Sequence, residues 1–280
     1  MSRALISPEL LSSHDEEKCL ETLKQCMKKQ WNSFAAFGPL FTDEFLLHFM
    51  RGRKYRVENT LETLKNYIQV RAKKYPEIFL HLLPSSIVIK EDCIRKLKIA
   101  GLDGVTIFAT RVEWWPPLDS GHGWDEIIPK IVVAADMVLL APKGMDLLRV
   151  DCIVDMEGFN RHHFQRLFGI RPCIKMMNLF YKAFPLRLRT VHFVNSPSCF
   201  DMFFVVAKKL LPKYMNRVIL HSGNLDTLHR YIPRDTLPTC WNGKLSLENA
   251  IDPNFNKDIL NNEHFYEKLQ QCIRKYNLKN

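Results

Sequence analysis

The stretch FYKAFPLRLRTVHFVNSPSCFDMFFVVAKKLLPKYMNRVILHSGNLDTLHRYIPRDTLPTCWNG, residues 180–243, decides the fold. A short apolar strand over Thr190–Val194 runs into Asn195-Ser196-Pro197. The segment that follows, Phe200 to Leu211, is apolar on nearly all sides yet only about three helical turns long. Crossing a bilayer takes roughly 20 apolar residues, so this segment is no membrane span. A helix apolar all round must bury both faces. One face can cover an internal cavity while the other touches a membrane, as a lid over a greasy ligand requires. A strand at Val218–Leu220, a short helix at Leu225–Tyr231 and a proline-punctuated exit over Pro233–Gly243 complete the stretch.

Upstream, β-rich runs alternate with helical ones. Val105–Val112 reads as a strand broken by Trp114-Trp115-Pro116-Pro117. Trp124–Leu140 reads as a long helix, with Ile128, Ile131, Val132, Ala135 and Leu139 inward. Leu148–Met156 is a strand closed by Glu157-Gly158, and Ile170–Phe184 a further helix. This alternation predicts an α/β fold with a mainly parallel sheet. The first part of the chain is helical instead. His14–Trp31, Asp43–Met50 (with Thr42 as N-cap) and Val57–Lys73 each carry an apolar stripe at helical spacing. Residues 248–280 are polar, with one helix expected at Glu263–Tyr276. The expected divisions are therefore a helical bundle over 1–82, an α/β domain over 83–247 and a polar tail over 248–280.

The 280 residues suffice for one large domain, or for one domain and a small partner. Hydrophobic residues make up 46% and charged residues 25%, an ordinary globular composition. The opening MSRALISPEL lacks a basic start followed by an apolar run, so a secretory signal is not expected. Eight cysteines are scattered without a C-x-x-C pair, which fits reduced thiols and a cytoplasmic setting. The net charge of +10 favours an anionic partner. Zinc-finger spacing and long basic runs are absent, so a membrane surface is expected rather than nucleic acid. Enzyme signatures are missing too: no G-x-S-x-G elbow, no P-loop and no G-x-G-x-x-G after a strand. His162 and His163 are adjacent and so diverge on a regular element, whereas helical metal ligands need i, i+4 spacing. Asp155 and Glu157 sit at a strand end, where catalytic carboxylates can lie. No cofactor, no metal and no catalytic activity are expected.

The segments RGRKYRVENTLETLKNYIQVR, VDMEG, FPLRLRTVHFVNSP and LHSGNLDTLHRYIPRDTLPTCWNG occur in this order. Over residues 40–250 the chain resembles the CRAL-TRIO lipid-binding family, most of all its tocopherol and retinaldehyde carriers. The resemblance implies a helical N-terminal bundle, a lipid-binding α/β domain with a mobile gate helix, and carriage of one hydrophobic molecule. It makes Asp155 and Glu157 structural. Matched position by position, it puts Ile131 and Ala135 where the tocopherol carrier has ligand-side serines, which favours a ligand even less polar than tocopherol or a differently placed headgroup. Retinoids, hydrocarbons, sterols and phosphatidylinositol also fit a wide apolar pocket.

The expected pocket is lined by Ile131, Ala135 and Val138 from the long helix. One face of the strand bearing Val191, Phe193 and Val194 contributes, with Val191 and Val194 taken as lining. Phe200, Phe204 and Ala207 come from the gate. The expected outer stripe of the gate is Cys199, Phe203, Val206 and Leu210. The family's phosphoinositide-binding basic positions match Arg53 and Arg187, with Arg189 two residues on. Two more fall on Tyr214 and Val218, which are not basic, and Lys213 and Arg217 stand one residue earlier. The expected protein is a monomeric, cytoplasmic carrier, transiently bound through this groove to anionic membranes and their phosphoinositides. The alternative is a lipid-responsive adaptor without transfer activity.

Overall fold

The computed structural model describes residues 12–85, 93–99, 104–115, 124–141, 149–167, 174–210, 215–221 and 223–279. Helix α1 (Ser13–Lys29) starts at Ser12, whose hydroxyl accepts from the Asp15 amide. Leu20, Leu23 and Met27 form its buried stripe. Helix α2 (Asp43–Gly52) is capped by Thr42 as expected, the hydroxyl accepting from the Phe45 amide. Helix α3 (Val57–Gln69) is followed by a π-helical turn, Val70–Lys74, where one continuous helix to Lys73 was predicted. Within that turn Arg71 is completely buried. Its guanidinium lies over the rings of Tyr67, Phe79 and Phe184 at 3.5, 4.8 and 4.6 Å, and it donates to Asp136 at 2.9 Å. A short helix α4 (Pro76–Phe79) opens on Pro76, whose missing amide hydrogen costs nothing at a first turn.

Between α2 and α3, Lys54 and Tyr55 both take left-handed backbone angles, φ 54° and 56°. Neighbouring contacts hold this turn. Arg51 forks onto Glu16 at 2.7 and 2.8 Å, and the Tyr55 hydroxyl donates to the same carboxylate. Gly52 ends α2 hard against the α/β half: a β-carbon there would overlap the Pro185 carbonyl oxygen.

Among the described residues the sheet has five strands in the order β1-β2-β3-β4-β5. They are β1 (Arg95–Lys96), β2 (Thr106–Arg111), β3 (Arg149–Asp155), β4 (Arg187–Val194) and β5 (Val218–His221). Only β1 pairs antiparallel; the rest are parallel. Helix α5 (Trp124–Leu139) links β2 to β3, helix α6 (Arg161–Leu167) and a π-helical segment (Met177–Lys182) link β3 to β4, and helix α7 (Ser198–Leu210) links β4 to β5. Strands laid down in sequence order, joined by crossovers of one hand, put their connecting helices on one face. The other face is closed by 3-10 turns at Leu225–Arg230, Arg234–Thr236 and Thr239–Trp241. There Leu228, Ile232, Leu237 and Trp241 pack on Ile107, Ala109, Ile153 and Val194.

Several boundaries differ from expectation. β4 begins three residues before Thr190 because Arg187 and Leu188 already pair with β3. The helix predicted over Leu225–Tyr231 is a 3-10 turn. Leu148, residues 170–173 of the helix predicted up to Phe184, and Leu211 lie outside the described residues. The largest correction concerns residues 248–280. They form α8 (Leu247–Ala250), α9 (Phe255–Asn261) and α10 (Glu263–Lys279). Tyr266, Leu269 and Ile273 of α10 are buried in one core with Leu23, Phe37, Tyr67 and Ile128. The stretch looks polar because α10 alternates a polar outer face with a narrow apolar stripe, which packs against the first helices.

Candidate functional site

Period-two alternation gives the sheet two different faces. On the closed face Ile107, Ala109, Ile153, His192, Val194 and His221 are all buried. On the helix-covered face the inner strands β3 and β4 present Cys152, Val154, Val191 and Phe193 and the edge strand β5 presents Val218 and Leu220, and each is only half-buried. Their register keeps them side by side: Cys152 opposite Val191 and Val154 opposite Phe193, then Val191 opposite Val218 and Phe193 opposite Leu220. Close-packed interiors do not leave mid-sheet apolar side chains half covered.

Two helices face this surface. From α5, Ile131 and Val138 are half-buried, and Ala135 is buried. From α7, Phe200 and Phe204 are buried at 2% and 7% exposure. Phe200 packs on Phe193 at 4.9 Å and on Phe159 at 6.1 Å between ring centroids. Five of the expected pocket residues (Ile131, Ala135, Val191, Phe200 and Phe204) therefore belong to α5, α7 and this sheet face, and Val138 lies one turn further along α5. Val194 does not. Two residues of opposite parity on one strand cannot share a face, and Val194 packs under Trp241 on the closed side. Phe193 takes its place. The Ala207 side chain lies outside the described residues.

The outer stripe also needs correcting. Phe203 is half-buried, its ring edge-on to Phe164 at 5.4 Å and tilted to Phe200 at 6.2 Å. At 100° per residue Phe200, Phe203 and Phe204 share one side of α7, and Met202, Val205 and Lys209 share the opposite one. Met202 is 74% and Val205 56% exposed, and Lys208 and Lys209 are exposed beside them. The side chains of Cys199, Val206 and Leu210 lie outside the described residues. The ring cluster under α7 also includes Trp115, read from the sequence only as a strand breaker, and Phe159 and Phe164, which the sequence reading did not single out. Trp115 follows β2 and the two phenylalanines follow β3, so no local spacing links the tryptophan to them.

The basic residues are mostly engaged within the protein. Arg53 donates to Thr63 Oγ1 at 2.7 Å and to the Phe184 carbonyl at 2.6 Å. Arg187 donates to the carbonyls of Arg51 and Gly52, capping the C-terminus of α2. Arg189 chelates Asp151, whose carboxylate is fully buried. Arg217 is exposed and donates to the Leu188 carbonyl at 2.7 Å. Lys213 lies outside the described residues. A further arginine was missed. Arg149 is the register partner of Arg187, and its Nη2 is buried without a hydrogen-bond partner. Burial, and then the charge of Arg149, hold the Arg187 guanidinium below its ordinary value.

Asp155 is saturated. Its oxygens accept from Arg111, Asn195, Trp241 and the Glu157 amide at 2.8–3.1 Å. It ties three strands to the closing turns and has no lone pair left in the geometry of a general base. Asn195 has a left-handed φ of 53°, which aims its amide at this carboxylate. His192 and His221, stacked at 5.2 Å, share a 2.9 Å hydrogen bond, and His221 bonds Thr227 at 2.6 Å. Burial, followed by the charges of His221 and Arg189, lowers His192 to about 3, and burial lowers His221 to about 4. Among the described residues no group of three or more His, Cys, Asp or Glu side chains is placed to hold a metal. Among them, too, no helix is long and apolar enough to cross a membrane.

A mainly parallel sheet with its crossover helices gathered on one face, one of them short and rich in aromatic residues, defines the class. Residues 128–243 match the CRAL/TRIO domain model, the family that the motifs resemble. An alpha-tocopherol transfer protein-like protein of Mus musculus is 29% identical over 229 residues, 80% of this chain and 64% of that protein. Its Homo sapiens counterpart is 27% identical over the same shares. Clavesin-1 of Xenopus laevis is 26% identical over 224 residues, 74% of this chain and 63% of that protein. The chain thus spans about 64% of the length of the first of these relatives. A crystal structure of Sfh5 has the same fold, with a TM-score of 0.58 at 13% identity, covering 92% of this chain and 99% of that one.

Proposed function

We propose that this chain binds one hydrophobic lipid, of tocopherol or retinoid type, between the half-buried sheet face, α5 and α7, and carries it between membranes. The observation that carries the reading is the row Cys152, Val154, Val191 and Phe193 on the inner strands β3 and β4: apolar, central and incompletely covered. The relatives named as transfer proteins support it. The energetics fit reversible delivery. Each buried methylene gains about 0.8 kcal/mol over water. A bilayer offers a lipid the same gain, so transfer between membrane and protein runs near balance, and shape selects the lipid. α7 opens toward the membrane with Met202 and Val205 as its apolar tip and Lys208 and Lys209 beside them. Near an anionic leaflet each lysine contributes about 1 kcal/mol. Arg187 and Arg149, two adjacent guanidiniums, form the centre of a phosphoinositide headgroup site, with Arg53, Arg189 and Arg217 at its margins.

The test is direct. The purified chain is extracted and its lipid weighed by mass spectrometry, then assayed for transfer between donor and acceptor vesicles. We expect one unmodified lipid per chain, a stoichiometry reduced by Val191→Trp, and many transfers per chain. A lipid-free, transfer-inactive protein would sink the reading. For the headgroup site, Arg149→Ala is expected to weaken binding to phosphoinositide vesicles more than to phosphatidylserine vesicles. Equal losses would leave only non-specific attraction.

A further inference from the structure

Two arginines cross the boundary between the first helices and the sheet, in opposite directions. Arg53, at the end of α2, donates through Nη2 to the Phe184 carbonyl at 2.6 Å. Arg187, the first residue of β4, donates through Nη2 to the Arg51 carbonyl and through Nε to the Gly52 carbonyl at 3.4 Å. Between them Gly52 abuts Pro185, whose carbonyl oxygen lies 2.2 Å from where a β-carbon would stand. The two arginines form a clasp that seats the last turn of α2 on the start of β4.

The clasp occupies the groups that a phosphate needs. On both arginines the engaged nitrogens are Nε and Nη2, the Arg53 Nε being held by Thr63 at 2.7 Å. These two nitrogens form one edge of the planar guanidinium, a fork that matches two oxygens of a phosphate. A phosphate taken side-on therefore displaces the present acceptors. With a carbonyl the guanidinium meets a dipole; with a phosphate it meets an opposite charge, and the attraction between two ions is the stronger. Main-chain carbonyls also bring no full negative charge to Arg187, which stands across the strand pair from the cation Arg149.

What gives way is local. The turn after α2 holds Lys54 and Tyr55 at φ 54° and 56°, a conformation that is costly for residues with side chains. The rest of the bundle is kept in place by the core it shares with α5 and α10, around Arg71 and Asp136. The Lys54 and Tyr55 amides bond to the Arg51 and Met50 carbonyls at 3.2 and 2.8 Å, so they report whether the turn holds.

We propose that a phosphate group bound at Arg53 and Arg187 undoes this clasp, so that headgroup recognition and the seating of α2 on β4 exclude each other. The inference rests on the headgroup site proposed above and adds a conformational switch to it. The turn that it loosens bears Lys54 and Arg56, both exposed.

The experiment follows amide hydrogen exchange of the full chain while inositol 1,4,5-trisphosphate is added, with inorganic phosphate at matched ionic strength as a second probe. We expect saturable binding of the trisphosphate and exchange at Lys54 and Tyr55 faster by about five-fold or more, while the β3 amides keep their rates. The same effect from an equal concentration of inorganic phosphate would keep the switch and sink the headgroup reading. By linkage, whatever opens the clasp must tighten binding. Gly52→Ala, which pushes α2 off the Pro185 carbonyl, is therefore expected to bind inositol trisphosphate about five-fold or more tightly. Should that variant not fold, the exchange rates of the unaltered chain decide. Saturable binding that leaves those rates unchanged, or slows them, overturns the proposal and spares the headgroup site, as does a folded Gly52→Ala that binds no more tightly. Absence of saturable binding overturns both.

Discussion

Single residues in this protein carry large local burdens. Lys54 and Tyr55 hold a backbone conformation that costs a non-glycine residue roughly 1–2 kcal/mol. Lys54 makes no side-chain contact that offsets this, while Tyr55 is bonded to Glu16. Lys54→Gly is therefore expected to stabilise the fold by about 1 kcal/mol, read as a rise in the urea midpoint; an unchanged or lower midpoint would count against strain at this turn. The buried histidines set the acid response. Their native values of about 3 and about 4 lie below the unfolded value of about 6.5. Between about pH 6.5 and 4 the unfolded chain thus binds protons that the native chain refuses, and stability falls as pH falls. Glu16, held low chiefly by its hydrogen bond from Arg51, acts in the same direction as acid protonates it. Asp136, pushed up to about 6 by burial against the pull of Arg71, acts the other way over that window. Two histidines outweigh one carboxyl, so stability should drop on the order of 1 kcal/mol per pH unit. Urea midpoints at pH 7.5 and 5.0 check this, and His192→Gln should flatten the difference.

At the level of elements, α7 is the part most exposed to test. Its exposed apolar side chains are Met202 and Val205, and its inward ones pack on the rings of Phe159, Phe164 and Phe193. Met202→Glu with Val205→Glu should lower vesicle binding about ten-fold or more and leave the thermal midpoint within a degree or two. Phe203→Asp, in contrast, should destabilise by roughly 2–4 kcal/mol, since it puts a charge against Phe164 and Phe200. If the exposed pair proves silent in vesicle sedimentation, this face is not the docking face. The contrast also marks what the sequence disclosed. The strand–turn–helix at 190–210 was legible, because apolar runs, Asn195 and Pro197 are local signals. The parity of Val191 against Val194 was legible too, since alternation alone separates them. Which side of α7 faces in was not, because a segment apolar all round has no moment to read, and only the positions of Phe159, Phe164 and Phe193 settle it. Arg149 escaped for the same reason: its significance lies in standing next to Arg187 across a strand pair, 38 residues away.

For the whole molecule, the decisive contacts join distant parts of the chain. The first helices, α5 and α10 share one core, with Arg71 and Asp136 at its centre. Breaking a buried ion pair from one side leaves an uncompensated charge, so Asp136→Ala should cost about 3–5 kcal/mol. Replacing both partners, with Arg71→Met and Asp136→Leu, should cost much less. Equilibrium unfolding of the two variants distinguishes them, and equal losses would show that the pair itself, not the orphaned charge, matters. Removal of α10 should prevent folding of the remainder, because Tyr266, Leu269 and Ile273 would leave the core open.

Gly52 has a consequence for inheritance as well as for packing. The obstacle that any larger residue would meet there is the main-chain oxygen of Pro185, which no substitution at position 185 can trim away. Second-site suppressors of Gly52→Ala should therefore never be found by shrinking the facing residue. They should arise, if at all, as distant changes that raise stability generally, and a genetic screen would see this position as nearly irreplaceable although it contributes no side chain of its own.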